Sequence, residues 1–100
     1  MADEVRVVAT LTAQDGRGGD LLARWPALAA QVHAEDGCLA YDLHRVVGSP
    51  DMFVVLERWA SAEALATHSQ AQHMKDFGMA SREFMAARPV VLVLDVDPAA

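Results

Sequence analysis

The middle of the sequence predicts a β-hairpin. Residues 38–47 and 52–59 each divide into two sets of side chains that alternate with a period of two, as in half-buried strands. The four residues between them, 48–51, read Gly-Ser-Pro-Asp and have the length and composition of a turn. Two strands joined this closely must pair antiparallel, so any sheet in this protein contains an antiparallel pair.

The alternation also predicts which side chains of the hairpin share a face. On its first strand, Leu39, Tyr41 and Leu43 lie on one side and their neighbours lie on the other. On its second strand, the set containing Glu57 would place a carboxylate under any helix that covers the sheet. The members of that set are Phe53, Val55, Glu57 and Trp59.

Two further strands and three helices complete the pattern. Residues 5–12 alternate, whereas residues 90–96 form an almost unbroken apolar run that predicts a strand buried on both faces. Asp20 is the predicted N-cap of the first helix, and Gly37 is suited to a left-handed turn after it. Ser61 is the predicted cap of the second helix. The helices are predicted over about 20–35, 61–67 and 70–87.

The resulting order, β-α-β-β-α-α-β, predicts a single α+β domain with its core over about residues 5–96. It suits a ferredoxin-like split βαβ fold, a four-stranded antiparallel sheet with its helices on one face. The opposite face would be bare, and Met52, Val54 and Leu56 make it apolar. The apolar fraction of 53% exceeds the usual value of about 45–50%. A homodimer through this face is therefore expected.

Charge and cysteine content exclude several classes of protein. The net charge of −6 and the lack of a basic run disfavour nucleic-acid and anionic-membrane partners. One cysteine, Cys38, excludes an internal disulfide, and it is more simply a small apolar residue than a catalytic thiol. With no basic leader and no apolar run near the roughly 20 residues that span a bilayer, we expect a soluble, cytoplasmic protein.

Candidate chemical groups lie between residues 57 and 77. A semi-buried Glu57 needs a partner and is more simply a structural carboxylate than a catalytic one. Trp59 lies at a strand end, where a tryptophan is more often a core or interface residue than an active-site residue. His68, at the junction of two helices, could be a general base in a cavity, or a capping or solvated histidine.

The remaining candidates surround the same region. His73, one turn before Phe77, could face the cavity or water, and Tyr41 could supply a hydroxyl. His68 and His73 are five residues apart, which is off the spacing of one helix face, so no metal site is predicted. No phosphate-binding loop or other cofactor motif is present. The residues alone predict a self-associating domain with a pocket of aromatic and histidine side chains, among them Phe53.

Several short motifs resemble the antibiotic biosynthesis monooxygenase family. Residues 57–59 read Glu-Arg-Trp and are followed by Ser61, His68 and the run His-Met-Lys at 73–75. Residues 35–41 are similar to that family's E-x-G-C-x-x-Y entry to its second strand. The resemblance covers about residues 5–96, and the order of elements agrees with it.

The resemblance implies a dimeric α/β barrel, in which the sheets of two chains pack face to face. Members include small cofactor-independent monooxygenases that oxidise phenols or quinols with O₂, and this sequence looks closest to the quinol-oxidising type. By that resemblance Trp59 orients the substrate or oxygen and His68 accepts or donates a proton, with His73 beside it. The implied substrate-binding residues are Tyr41, Phe53 and Phe77.

Two alternatives stay open beside this reading. A branch that isomerises a phosphorylated dione shares the paired histidines but typically has Tyr where this chain has Trp59. A phosphate would also require more cations than Lys75 and Arg45 obviously supply. The other alternative is a non-enzymatic, dimeric ligand-binding or stress-responsive barrel. Heme degradation is disfavoured, since Ala9-Thr10 stands where the heme-degrading branch has an Asn.

Overall fold

The computed structural model describes residues 3–95 and contains the predicted seven elements in the predicted order. The end of the last predicted strand, Val96, lies outside the described residues. The elements are β1 (Val5–Thr12), α1 (Gly18–His33), β2 (Cys38–Arg45), β3 (Met52–Trp59), α2 (Ala62–Gln70), α3 (Gln72–Ser81) and β4 (Val90–Leu94).

The four strands form one antiparallel sheet in the order β2-β3-β1-β4. The two central strands pair along their whole length, from Val5 opposite Trp59 to Thr12 opposite Met52. This order is that of a ferredoxin-like split βαβ fold, which confirms the predicted α+β class. Strands β2 and β4 form the two edges.

The core lies between the sheet and the helices. On β3 the predicted inner set is buried throughout, and α1 buries one stripe against it. The stripe residues recur three or four positions apart, the spacing of one helix face, as predicted. They are Leu21, Trp25, Leu28 and Val32.

Helix α1 begins two residues earlier than predicted, and Asp20 is not its cap. Arg17 occupies the N-cap position without a side-chain cap bond, and Asp20 pairs with Arg17 from the first turn. The Asp51 carboxylate of the hairpin accepts instead from the backbone N–H of Gly18, the first residue of the helix, at 2.8 Å, and from that of Gly16, just before it, at 2.9 Å. These two bonds lower the pKa of Asp51. A cap supplied from 33 residues away leaves no local sequence signal.

The prediction of one helix over 70–87 is wrong at both ends. Gln70 belongs to α2, whose predicted cap is confirmed by a 3.1 Å bond from the Ala64 N–H to Ser61 Oγ. Helix α3 ends at Ser81, and the chain beyond it pairs with the region after β1 instead. There the backbone N–H of Gln14 donates to the carbonyl of Phe84 at 2.9 Å.

A register shift in β2 reverses one predicted side-chain direction. The irregularity lies between Cys38 and Ala40, and it leaves Leu39 49% exposed while Cys38 is half-buried. Leu39 therefore does not share the inner face with Tyr41, because a bulge breaks the alternation. Gly37, just before it, has the predicted left-handed conformation with φ of +83°.

Strand β4 is not buried on both faces as predicted. Its five residues are 44–60% exposed, since no element of the described chain covers them. The register places Leu92 beside Val8 on the bare face of the sheet, where Leu56 is also exposed.

No helix within residues 3–95 is long and apolar enough to cross a membrane.

Candidate functional site

A pocket of about 620 Å³ lies between α3, the segment 82–89 and the helix-covered face of the sheet. Its inner wall is aromatic. Trp25 stacks on Tyr41 with ring centroids 5.3 Å apart, and Phe77 meets Trp25 edge-on at 6.1 Å. Flat, apolar walls of this kind suit a planar ring system.

Two polar side chains reach the inner end of the pocket, and both are buried. Glu57 comes from β3 and His68 from the last turn of α2. Burial raises the pKa of the Glu57 carboxyl, and a 3.0 Å hydrogen bond from the indole N–H of Trp59 partly offsets that rise. The sequence analysis anticipated a partner for Glu57, and in the structure that partner is the Trp59 indole, two residues along the same strand.

His68 is held on three sides. Its Nδ1 lies 2.9 Å from Oε2 of Glu35, its ring centroid is 4.4 Å from that of Trp59, and Tyr41 meets it edge-on at 5.5 Å. Within residues 3–95 no hydrogen bond engages Nε2, the other ring nitrogen. Because His68 lines the pocket, Nε2 is the nitrogen that a bound ligand can reach.

Glu35 joins the two histidines. His73 Nε2 lies 2.8 Å from the same Oε2 atom that contacts His68. The second oxygen, Oε1, is buried and has no hydrogen-bond partner among the described residues. One oxygen of this carboxylate is therefore buried without a partner, and the other lies within hydrogen-bond distance of two imidazoles.

These three side chains are also the kind that hold a metal ion. Their nearest ligand atoms all lie within 4.8 Å of one another, and two imidazoles with one carboxylate suit zinc or iron. Ligands bound to one tetrahedral zinc stand roughly 3.3 Å apart. The observed 2.8 and 2.9 Å are hydrogen-bond distances, so the geometry fits a shared carboxylate better than a metal site.

The structure separates the sequence-predicted site residues into two groups. Tyr41, His68 and Phe77 line the pocket. Trp59 and Phe53 were expected to line it as well, but both are fully buried behind its wall at 0% exposure. His73 also lies outside the pocket lining and contacts Glu35.

Sequence reasoning missed two features of the site. Glu35 was noted only at a helix end and as the first residue of the motif at 35–41, with no chemical role, and its bond to His68 joins residues 33 positions apart. The outer end of the pocket is cationic: besides Lys75 it includes Arg82 and Arg88, which lie at and beyond the end of α3. The helix predicted over 70–87 hid this, because it placed Arg82 on a regular helix and left Arg88 directly after the end of that helix.

Comparison with known proteins gives one consistent family. A profile described as "Antibiotic biosynthesis monooxygenase" matches residues 4–78. A Bacillus subtilis (strain 168) protein named "Putative monooxygenase YcnE" is 31% identical over 68 residues, which are 68% of this chain and 72% of the relative.

Two solved structures superpose closely on this chain. The protein PA3566 from Pseudomonas aeruginosa has 30% identity and a TM-score of 0.84, with 94% of each chain covered. A Caulobacter crescentus CB15 protein, named a "putative antibiotic biosynthesis monooxygenase", has 35% identity and a TM-score of 0.87. The match covers 96% of this chain and 92% of that one.

Proposed function

Because the chain belongs to the antibiotic biosynthesis monooxygenase family, we propose that it oxidises a small aromatic phenol or quinol with O₂, without a cofactor. The observation that carries this proposal is the position of His68. Its Nε2 is available to a ligand in an aromatic pocket, while its Nδ1 is anchored on Glu35. A histidine oriented in this way is suited to general-base catalysis.

The proposed reaction begins with proton transfer from the substrate hydroxyl to Nε2 of His68. The resulting phenolate is electron-rich and gives one electron to O₂, and the two radicals combine at a ring carbon to form a peroxide anion. This anion takes back the proton held on His68 and becomes a hydroperoxide. Loss of water from this hydroperoxide leaves a quinone, so one oxygen atom enters the product and the other leaves as water. Tyr41 and Trp25 flank the ring, and Glu57 offers a second polar group at the inner end.

We also propose that the working unit is a homodimer joined through the bare sheet face. This face exposes Leu56, Leu92 and Leu94, and large contiguous apolar patches of this kind are typical of interfaces. A second copy of the same sheet, placed against it, would bury the same residues in both chains.

The cationic outer end of the pocket, called the rim below, consists of Lys75, Arg82 and Arg88. It favours a second candidate function, the isomerisation of a small phosphorylated dione. Besides Lys75, the pocket is lined by two further cations, Arg82 and Arg88, which the sequence did not reveal as pocket residues. An isomerase consumes no oxygen, and a non-enzymatic binding protein gives no product at all, so oxygen uptake separates both from a monooxygenase.

The test is oxygen uptake with a panel of dihydroxynaphthalenes and anthrones. The His68→Gln variant is expected to lose about 10²–10⁴-fold in rate, the usual contribution of a general base. His44→Gln is the matched control, since His44 is exposed on the edge strand β2 and does not line the pocket. Uptake equal to the buffer blank across the whole panel would refute the oxygenase proposal.

A further inference from the structure

The basic side chains of this protein are distributed unevenly. There are eight in all. Three form ion pairs with a carboxylate: Arg6 and Arg58 with Glu4, and Arg17 with Asp20.

Two more basic side chains lie over aromatic rings. The guanidinium of Arg24 is 6.0 Å from the Phe84 ring centroid, and that of Arg45 is 5.5 Å from the Phe53 ring centroid. Both are within the range of a cation–π contact.

The three remaining cations all line the pocket. Lys75, Arg82 and Arg88 have no carboxylate within 4.0 Å inside residues 3–95. The protein carries a net charge of −6, yet the three cations with neither an ion pair nor an aromatic contact among residues 3–95 all line one pocket. Three like charges near one another repel, so an anion at this position relieves repulsion as well as adding attraction.

We propose that the substrate carries an anionic group, bound at the outer end of the pocket by Lys75, Arg82 and Arg88. This deepens the proposed function and rests on it for the orientation of the ring. With the anion at the rim, the hydroxyl group points inward to His68. The reverse orientation would bring the anion against the buried carboxyl of Glu57, which forms no ion pair with a lysine or arginine among residues 3–95.

The same chemistry fits a planar and a tetrahedral anion. Arginine presents paired N–H donors that match two oxygens of a carboxylate, and it also binds phosphate-like groups. Because these three side chains are exposed, the gain is modest and sensitive to salt. We expect the anionic group to improve affinity about tenfold, as for one or two charge-assisted bonds.

The experiment compares three naphthols that differ in one substituent. Calorimetric titration measures the dissociation constants of 2-naphthol, 6-hydroxy-2-naphthoate and 6-hydroxynaphthalene-2-sulfonate in low salt, without oxygen. One or both anions should bind about tenfold tighter than 2-naphthol, with the advantage shrinking as salt is raised. The anion that binds more tightly shows whether the site prefers a planar carboxylate or a tetrahedral group. Equal affinity of all three ligands overturns the inference.

Charge-removing variants assign the effect to the rim. Arg82→Gln and Arg88→Gln should each weaken binding of the anions several-fold and leave 2-naphthol unchanged. Arg24→Gln removes the same charge from α1, outside the pocket, and should leave all three affinities unchanged. An advantage that survives the triple replacement of Lys75, Arg82 and Arg88 by Gln also overturns the inference. Binding is measured without turnover, so the two proposals can fail separately. If the protein prefers the anions but shows no oxygen uptake, only the oxygenase proposal is refuted.

Discussion

The indole N–H of Trp59 donates to Oε1 of Glu57, with the two heavy atoms 3.0 Å apart inside the core. The two residues sit two positions apart on the inner face of β3, so the sheet itself sets their distance. Trp59 also packs against the His68 ring. Trp59 therefore contacts both polar groups of the pocket, Glu57 and His68, although its own ring does not line the pocket.

Replacing Trp59 by Phe should destabilise the protein by more than the loss of ring volume. The substitution removes the only side-chain donor found for Glu57 in the described chain, and an unpartnered buried acceptor costs about 1–3 kcal/mol. Urea unfolding measures the loss. Trp25→Phe is the control, because Trp25 is also buried but its indole makes no hydrogen bond within residues 3–95. Equal losses for the two variants would contradict this role of Trp59.

Glu57 should make the protein less stable as the pH rises. Burial raises the pKa of its carboxyl above 4.5, so the folded protein holds this proton more tightly than the unfolded chain. Its contribution is fully present below pH 4.5 and is lost as the pH rises through the raised pKa. The decline is measured as the free energy of unfolding between pH 4 and 8, and Glu57→Gln should remove it. Glu83→Gln, a substitution at an exposed site, should show the same decline as wild type. Parallel profiles for wild type and Glu57→Gln would disprove the assignment.

Gly37→Ala should be among the most damaging single-methyl additions to this chain. A Cβ at residue 37 would lie 2.6 Å from the Cβ of Ala64, on α2, and the residue also has a φ of +83°. Overpacking of this kind costs about 1–3 kcal/mol beyond the strain of the left-handed backbone.

The matched control for that substitution is Gly16→Ala. Gly16 has a φ of +79° but open space around its Cβ position, so it carries the backbone strain alone. The difference in unfolding free energy between the two variants isolates the contact with α2, the helix that positions His68. No difference between them would show that α2 shifts freely.

The association of two chains is tested by light scattering. Wild type should show about twice the monomer mass of 10.8 kDa. Leu92→Lys puts a charge on the bare sheet face and should yield monomer, because an unpaired charge is costly to bury. Val47→Lys, at a hairpin position that is 99% exposed, should leave the mass unchanged. A monomeric wild type at micromolar concentration would contradict the proposed interface.

Strand positions were the most predictable part of the fold. The bounds of β1 and β3 agree with the alternation to the residue, because each strand has one buried and one open face. Periodicity reports burial, however, and not backbone hydrogen bonding. Phe84 and Met85 continue the helical spacing of α3 and are partly or fully buried, yet the chain there pairs with residues 13 and 14.

The site was less predictable than the fold, because its contacts join distant parts of the chain. His68 and Tyr41 were identified from residue type and position, and both reach the pocket. The role of Glu35 depends on a turn that brings it to two helices 33 and 38 residues further along. The arginines of the rim depend on where α3 ends, and helix ends are poorly marked when Gly and Pro are absent.

In the proposed dimer, strand β4 makes the free energy of folding depend on the protein concentration. It is an edge strand, paired only with β1 in the described chain, and all five of its residues keep about half their surface open to water. A chain that completes its core by association gains stability by mass action. Its unfolding midpoint should therefore rise with total concentration, and dilution should loosen β4 before the β2–β3 hairpin.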